Sequence, residues 1–441
     1  MQFDRLRNLS LIVCLISGGA WTHAACPVCA SFDSGVMWGA ISFGALTEAS
    51  GIAASARNPG VLWTHNDGSA GRIWAVSTNG ARLATYDVNN VADVEDIAVG
   101  PGPTPGLSYL YIGDIGGNVG TNAARADVKI IRIPEPAVDL AWANDPRSPN
   151  FNGRDNFTLI YPDGSFDAET LFVDPLTSDV WVVTKETGVA RFYRANLNAV
   201  PDNGTVVLEF VRLVAFHQAS AGDMSADGTQ LVLRRENVAA LWLRCDGEPL
   251  SNALARASQS IPVIGPPTEP NGEGLALLRD GTGYVTISEG SNAPIYFFRS
   301  LCPAAPRFTL MLSNQSVFVG GSVQFHALAA GYPDATYTWR RNGQVLVGET
   351  GSSLLLSNVS PSAAGQYEIV ASNASGSTTN IATLAVRAKP DLRITEVMPV
   401  AAASPGVPTA DWWELTSFES QPVSLNGWRF NDNSGGLADA F

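Results

Sequence analysis

One unit recurs five times between Ala49 and Gly290. A short apolar run opens on a polar residue, a turn follows, and a second apolar run ends on an acid. The opening runs are ASGIAAS, DVEDIAVG, FDAETLFV, SAGDMSAD and NGEGLALL, which put Ser50, Glu95, Glu169, Asp223 and Glu273 at one equivalent position. The partner runs are VLWTHND, YLYIGDIGG, VWVVTKE, LVLRREN and GYVTISEG, which put Asp67, Asp114, Glu186, Glu236 and Glu289 at the other. Two antiparallel strands bring the start of the first and the end of the second to the same edge, so each pair of positions should be neighbours.

Each pair of runs is followed by a third strand, such as RIWAVS, KIIRIP, RFYRAN, ALWLRC or PIYFFRS, and a fourth leads into the next unit, as in NFTLIYP and TVVLEFV. Four strands repeated at roughly 40–50 residues is the signature of a β-propeller. Composition agrees: 42 Gly and 27 Pro punctuate short strand-like runs, only 15% of residues are charged, and no stretch has sustained helical periodicity. An all-β fold is therefore expected, with a propeller over residues 30–305 of five or six blades. Residues 137–155 are an inserted loop or a degenerate blade. The N-terminal WGAISFGA is placed to supply the outer strand of the last blade and close the ring.

In such a ring the first strand of each blade lines the central channel, and the acids gather around one mouth. Taken singly, an acid at a strand end accepts hydrogen bonds from turn amides. Taken together, uncompensated carboxylates raise one another's pKa, and a bound cation relieves them. Calcium, which accepts many oxygens in a flexible geometry, is the expected ion. The metal-site candidates are thus Glu95, Glu169, Asp223, Glu273, Asp67, Asp114, Glu186, Glu236 and Glu289. SAGDMSADGTQLVLR and NGEGLALLRDGTGYVTISEG resemble blade motifs of phytase-like, esterase-like β-propellers, a similarity spread over residues 47–300. The resemblance implies calcium-dependent phosphoesterase chemistry, which also needs basic residues around the phosphate. After Ala25 the chain has three lysines, Lys129, Lys185 and Lys389, and no evident phosphate cradle. No GxSxG elbow is present either.

The N-terminus reads as an export signal over residues 1–25: Arg5 and Arg7, an apolar LSLIVCLISGGAW, and small residues at THAA. No segment is long enough for an ordinary membrane span. Loss of residues 1–25 removes Asp4, Arg5 and Arg7, a net +1, and takes the chain from −14 to −15. That excludes nucleic-acid binding through phosphate neutralisation. Cys26, Cys29, Cys245 and Cys302 remain, an even number that suits disulfides in an oxidising compartment. CPVC has the spacing of a redox or metal pair, but His65, His217 and His326 are scattered and no second close pair accompanies it.

A Pro/Ala-rich joint, PAAPRFT, precedes a second module over residues 309–387. TYTWRRNGQVL, with Trp339, and SSLLLSNVSPSAAGQYEIVASNASG, with Tyr367, resemble a bacterial immunoglobulin-like domain of the I-set type. The resemblance puts Trp339 on the core strand and Tyr367 at the tyrosine corner. It also puts Ala327 and Ile369 where the family carries its inter-sheet cysteines. LRITEVMPV and DWWELTSFESQPVSLNGWRFND, within residues 392–441, resemble the start of a lamin-tail domain, left incomplete at Phe441. Trp412, Trp413 and Trp428 are then sandwich aromatics rather than a carbohydrate platform.

The expected protein is secreted or displayed at the cell surface. It is a modular binding or adhesion protein with the propeller as platform and a protein, glycan or phosphorylated small molecule as ligand. The alternative is a calcium-dependent phosphoesterase acting in the channel.

Overall fold

The computed structural model describes residues 29–68, 71–117, 124–398, 412–419 and 423. The chain divides between Pro303 and Ala304 into two compact units, and both are all-β. After β1 (Val36–Ala40), the first unit builds five sheets in chain order. The first holds β2 (Ala49–Ala54), β3 (Val61–Asn66), β4 (Arg72–Ser77) and β5 (Arg82–Asp87). The second holds β6 (Val94–Pro101), β7 (Ser108–Asp114), β8 (Asp127–Pro134) and β9 (Asp155–Ile160). The third holds β10 (Ala168–Val173), β11 (Asp179–Thr184) and β12 (Ala190–Asn196). After β13 (Gly204–Val207) comes its last strand, β14 (Glu209–Val214). The fourth is β15 (Ala221–Met224), β16 (Gln230–Arg235), β17 (Val238–Leu243) and β18 (Gln259–Ile261). The fifth is β19 (Gly272–Leu277), β20 (Gly283–Ser288) and β21 (Pro294–Arg299), with β1 as its outer strand.

Both faces of each sheet are apolar, so each must be covered on both sides. Five separate cores do this. Trp63, Tyr86 and Ile112 lie between the first and second sheets; Tyr111, Leu171 and Tyr193 between the second and third. Phe172, Trp181 and Trp242 lie between the third and fourth; Leu241, Tyr284 and Phe298 between the fourth and fifth. Trp74, Ile52 and Ile287 pack the fifth sheet back onto the first. The first strands β2, β6, β10, β15 and β19 contact one another in the same cyclic order. The ends of the unit are zipped together as the sequence suggests. Val36 pairs with Phe297 and Ala40 with Pro294, Phe32 bridges to Ser300, and Cys29 is disulfide-bonded to Cys302. The partner of Cys29, the second cysteine of CPVC, is thus the distant Cys302, while Cys26 lies outside the described residues. Cys245 is disulfide-bonded as well.

One detail departs from the sequence reading, and another settles an alternative it left open. TVVLEFV divides at Leu208. Its first half is β13, which runs parallel to β9 as a fifth strand of the second sheet, and its second half is β14 in the third. Residues 137–155 are a loop rather than a blade. Trp142 and Phe151 pack on the core of the first two sheets, and Arg147 bridges to Ala84 at the outer edge of the first.

The boundary between the units falls at the first residue of PAAPRFT, and the rest of that stretch belongs to the second unit: Ala304–Leu310 forms a strand paired with Leu328–Tyr332. The remaining strands make a β-sandwich whose core is Phe325, Trp339, Tyr367 and Ile369. The Trp339 indole N–H donates to the Gly351 carbonyl at 2.8 Å, and the Tyr367 hydroxyl to the Ala363 carbonyl at 2.9 Å. Ala327 and Ile369 are fully buried there, so apolar contact fills the space between the sheets. Leu392–Met398 pairs with Trp412–Ser417 as a hairpin, while Trp428 and most of the lamin-tail resemblance lie outside the described residues.

Candidate functional site

Three glutamates of the repeat share one local device. The register of β6 with β7 skips Glu95, that of β10 with β11 skips Glu169, and that of β19 with β20 skips Glu273. Each is the extra residue of a β-bulge at the start of a first strand, a position released from the ladder and often found beside functional sites. In the first sheet the irregularity falls at Ser50 and Gly51. The partner-strand position is equally regular. The amides of Asp67, Lys185 and Glu289 donate to the carbonyls of Glu48, Asp167 and Asn271, each two residues before a bulge residue.

These bulges gather the acids. Carboxylate oxygens of Asp67, Asp93 and Glu95 all lie within 4.8 Å of one another. That is about twice a calcium–oxygen bond, the widest separation two ligands of one such ion can have. Glu169 and Asp167 act on Glu95, Glu289 acts on Asp67, and Asp67 in turn acts on Glu273, so these acids lie close around the trio. Gly116 closes the site from the second sheet. A Cβ there would stand 2.1 Å from a Glu95 carboxylate oxygen and 2.6 Å from one of Asp93.

Burial and mutual repulsion raise these carboxyls far above their ordinary range. The Glu95 pKa is pushed up to about 10, first by burial and then by Glu169, Asp67 and Asp93. Glu273 is raised to about 8 by burial and by Glu169 and Glu289, and Asp93 to about 6 by burial and by Asp67. Burial raises Glu169 too, but Lys185 at 2.5 Å restrains it at about 7. The donors are all hard oxygens, with neither His nor Cys among them, a set that suits calcium, magnesium or manganese rather than zinc.

The remaining candidates are placed elsewhere. Asp223 is corrected by the register. The fourth sheet has no bulge, Ala221 faces Arg234, and Ser220 falls where Glu169 stands in the third sheet. Asp223 lies three residues further along, bound by Arg279 at 3.0 Å and by the amides of Met224 and Leu277. It joins the fourth first strand to the fifth, as Asp96 joins the second to the third by accepting from Leu171. Asp114 is buried in an ion pair with Arg125 at 3.0 Å and accepts from the amides of Ala92 and Asp93, so it holds the Asp93 backbone rather than joining the trio. Glu186 is paired with Arg191 at 3.0 Å and accepts from the Thr184 hydroxyl. Glu236 is exposed, and its backbone carbonyl accepts from Arg234. Asp93, Asp167 and Lys185 belong to the site although the strand-end pattern passes over them. The signal for the two acids is an Asp-x-Glu spacing, DVE and DAE, at two of the bulges.

Comparison with known proteins reaches the second unit. Residues 305–373 match the immunoglobulin domain family. Human coiled-coil domain-containing protein 141 is 35% identical over 107 residues, 22% of this chain and 7% of that protein. Mouse basement membrane-specific heparan sulfate proteoglycan core protein is 36% identical over 98 residues, 22% of this chain and 3% of that protein. Human contactin-2 is 31% identical over 171 residues, 37% of this chain and 16% of that protein. The chain therefore spans only a small part of these relatives. Among solved structures, a chimeric titin Z1Z2 is 32% identical and covers 20% of this chain and 99% of its own, with a TM-score of 0.19. Among the described residues no helix is long and apolar enough to cross a membrane.

Proposed function

We propose that the first unit is a five-bladed β-propeller in an extracellular, modular binding or adhesion protein, and that its acidic mouth holds calcium. The Asp67–Asp93–Glu95 trio carries the reading: three carboxylates at one-ion spacing, inside a wider set of acids that repel one another. Cyclic packing of five four-stranded cores supports the propeller. The immunoglobulin domain, and relatives whose names include a basement-membrane proteoglycan, support extracellular binding. The Leu392–Met398 hairpin opens a third module of the lamin-tail kind. The channel favours binding over phosphoester hydrolysis. The two cations next to the acids are already committed, Lys185 to Glu169 and Arg125 to Asp114, which leaves neither to hold a phosphate.

The test is thermal melting and calorimetry of the full chain titrated with calcium. A saturable rise in Tm is expected, equivalent to about 2.7 kcal/mol at a hundredfold excess over Kd, and absent in Asp93→Asn/Glu95→Gln. An unchanged Tm and no heat of binding would remove the cation from the proposal. Hydrolysis of a simple phosphoester under the same conditions would move the function to the alternative.

A further inference from the structure

A second site lies away from the acids, at the outer edge of the first sheet. Thr85 donates to the Arg147 carbonyl at 2.9 Å and Arg147 to the Leu83 carbonyl at 3.0 Å, so the 145–151 loop is laid along β5. Phe151 stacks on buried Tyr86 with ring centroids 4.8 Å apart, and Arg154 donates to the Asn89 carbonyl at 3.0 Å. Between loop and strands is a pocket of about 380 Å³ whose wall includes Arg72, Arg82, Thr85, Asn89, Ser148 and Asn150. Both walls are anchored by hydrogen bonds or ring stacking, so the pocket is preformed.

Its charge is unbalanced in an unexpected direction. Arg72 is neutralised by Asp87 at 3.0 Å, and Arg147 by Asp145 at 3.1 Å. Arg82 has no carboxylate and no hydrogen-bond partner among the described residues, and its Nε–H is buried without an acceptor. Its guanidinium lies 5.6 Å from the centre of the Phe43 ring, a contact that supports the cation but satisfies none of its donors. Arg82 therefore lines the pocket as an unpaired cation in a chain with 41 acids against 27 basic residues.

We propose that this pocket binds a hydroxylated monocarboxylate, a sugar acid of the uronate class. The carboxylate is held by the planar fork of Arg82, which matches an oxyanion in two parallel hydrogen bonds. The neutral amides and hydroxyls of Asn89, Asn150, Thr85 and Ser148 take the ligand's hydroxyls. The single uncompensated charge sets the ligand's charge at one. A doubly charged phosphate leaves one negative charge unmatched beside Asp87.

The experiment is calorimetric titration of the full chain with glucuronate, glucose and inorganic sulfate, repeated on Arg82→Gln and Arg82→Lys. Glucuronate should bind saturably, and glucose at least about tenfold more weakly, the loss of one charge-assisted hydrogen-bonded pair. Arg82→Gln should lose about the same factor, and Arg82→Lys should recover only part of it, because an ammonium has no fork. Equal binding of glucose and glucuronate, or full affinity in Arg82→Gln, would overturn the proposal. So would sulfate binding as tightly as glucuronate, which would leave the hydroxyl-bearing wall without a role. The glucuronate–glucose comparison is made on the unaltered protein and stands even where a variant folds poorly.

Discussion

Lys185 Nζ sits 2.5 Å from the Glu169 carboxylate, at the position that Asp67 and Glu289 fill in the first and fifth sheets. The repeat thus replaces one of its own acids with a built-in cation. Burial opposes the lysine's charge, but Glu169, Glu273 and Glu95 together hold its pKa above the ordinary value. A permanent cation beside the trio competes electrostatically with a divalent ion. Lys185→Met should therefore bind calcium about tenfold more tightly while the calcium-free protein melts lower, because Glu169 loses its partner. Calorimetry with paired melting curves checks both halves. Weaker calcium binding would mean that Lys185 organises the ligands instead of competing with the ion.

The raised carboxyls fix the sign of the pH response. Glu95, Glu273, Glu169 and Asp93 all have folded pKa values above their ordinary ones, so the folded state binds more protons than the unfolded state. Stability is then fully present below about pH 4 and falls as pH rises through about 6 to 10, the range of the folded values. In the proposed site calcium takes the place of the protons, and the expected outcome is an effect on Tm that grows from pH 5 to pH 9. Glu95→Gln removes the largest contribution. Without calcium it should melt about 3 °C or more above the parent at pH 9 and close to it at pH 5. A constant difference across that range would show that Glu95 ionises in the unliganded fold as readily as in the unfolded chain.

Much of this arrangement is legible in the sequence, because the repeat forces acids to one edge of every sheet. Glu95, Glu169 and Glu273 are found that way. Asp223 misleads because the sequence does not show whether a strand opens with a bulge. SAGD and FDAE align by eye, yet the missing extra residue in β15 carries Asp223 into the ladder and onto Arg279. Asp114 and Glu186 are misread for a related reason. An acid at a strand end is equally able to serve a neighbouring arginine, and Arg125 and Arg191 are brought up by turns whose path depends on tertiary packing. Arg82 carries no local signal at all. Its importance comes from the partner it lacks.

The Cys29–Cys302 bond closes the first unit where β1 completes the fifth sheet, across a separation of 273 residues. Without it, four backbone pairings between β1 and β21 and the bridge from Phe32 to Ser300 keep the N-terminal strand in place. A long closed loop restricts the unfolded chain strongly. Cys29→Ser/Cys302→Ser should lower Tm by about 5–10 °C, with a loss of about 2–5 kcal/mol. Amide exchange should rise first in Val36–Ala40. Unchanged exchange there together with an unchanged Tm would show that strand pairing alone closes the sheet.

His65 gives an acid-side counterpart. It is 1% exposed, its Nε2 accepts the Gly51 amide at 3.1 Å, and its Nδ1–H donates to the Asn66 carbonyl at 2.8 Å. Gly51 is required for this approach, since a Cβ there would lie 2.5 Å from Nε2 and 2.7 Å from an Asp96 oxygen. An imidazole whose Nε2 is an acceptor cannot be protonated without breaking that bond, and burial lowers its pKa from 6.5 to about 4. The folded state therefore binds fewer protons than the unfolded state. Stability should fall as pH drops from 6.5 through 4, by on the order of 3 kcal/mol once both states are protonated. The direction is opposite to that of Glu95, so between about pH 4 and 6.5 the protonation of His65 in the unfolded chain offsets part of the stability that the protonated acids bring. His65→Gln should flatten the acid limb of a urea-unfolding profile while leaving the alkaline limb as it was. An unaltered acid limb would show that acid unfolding starts at another group.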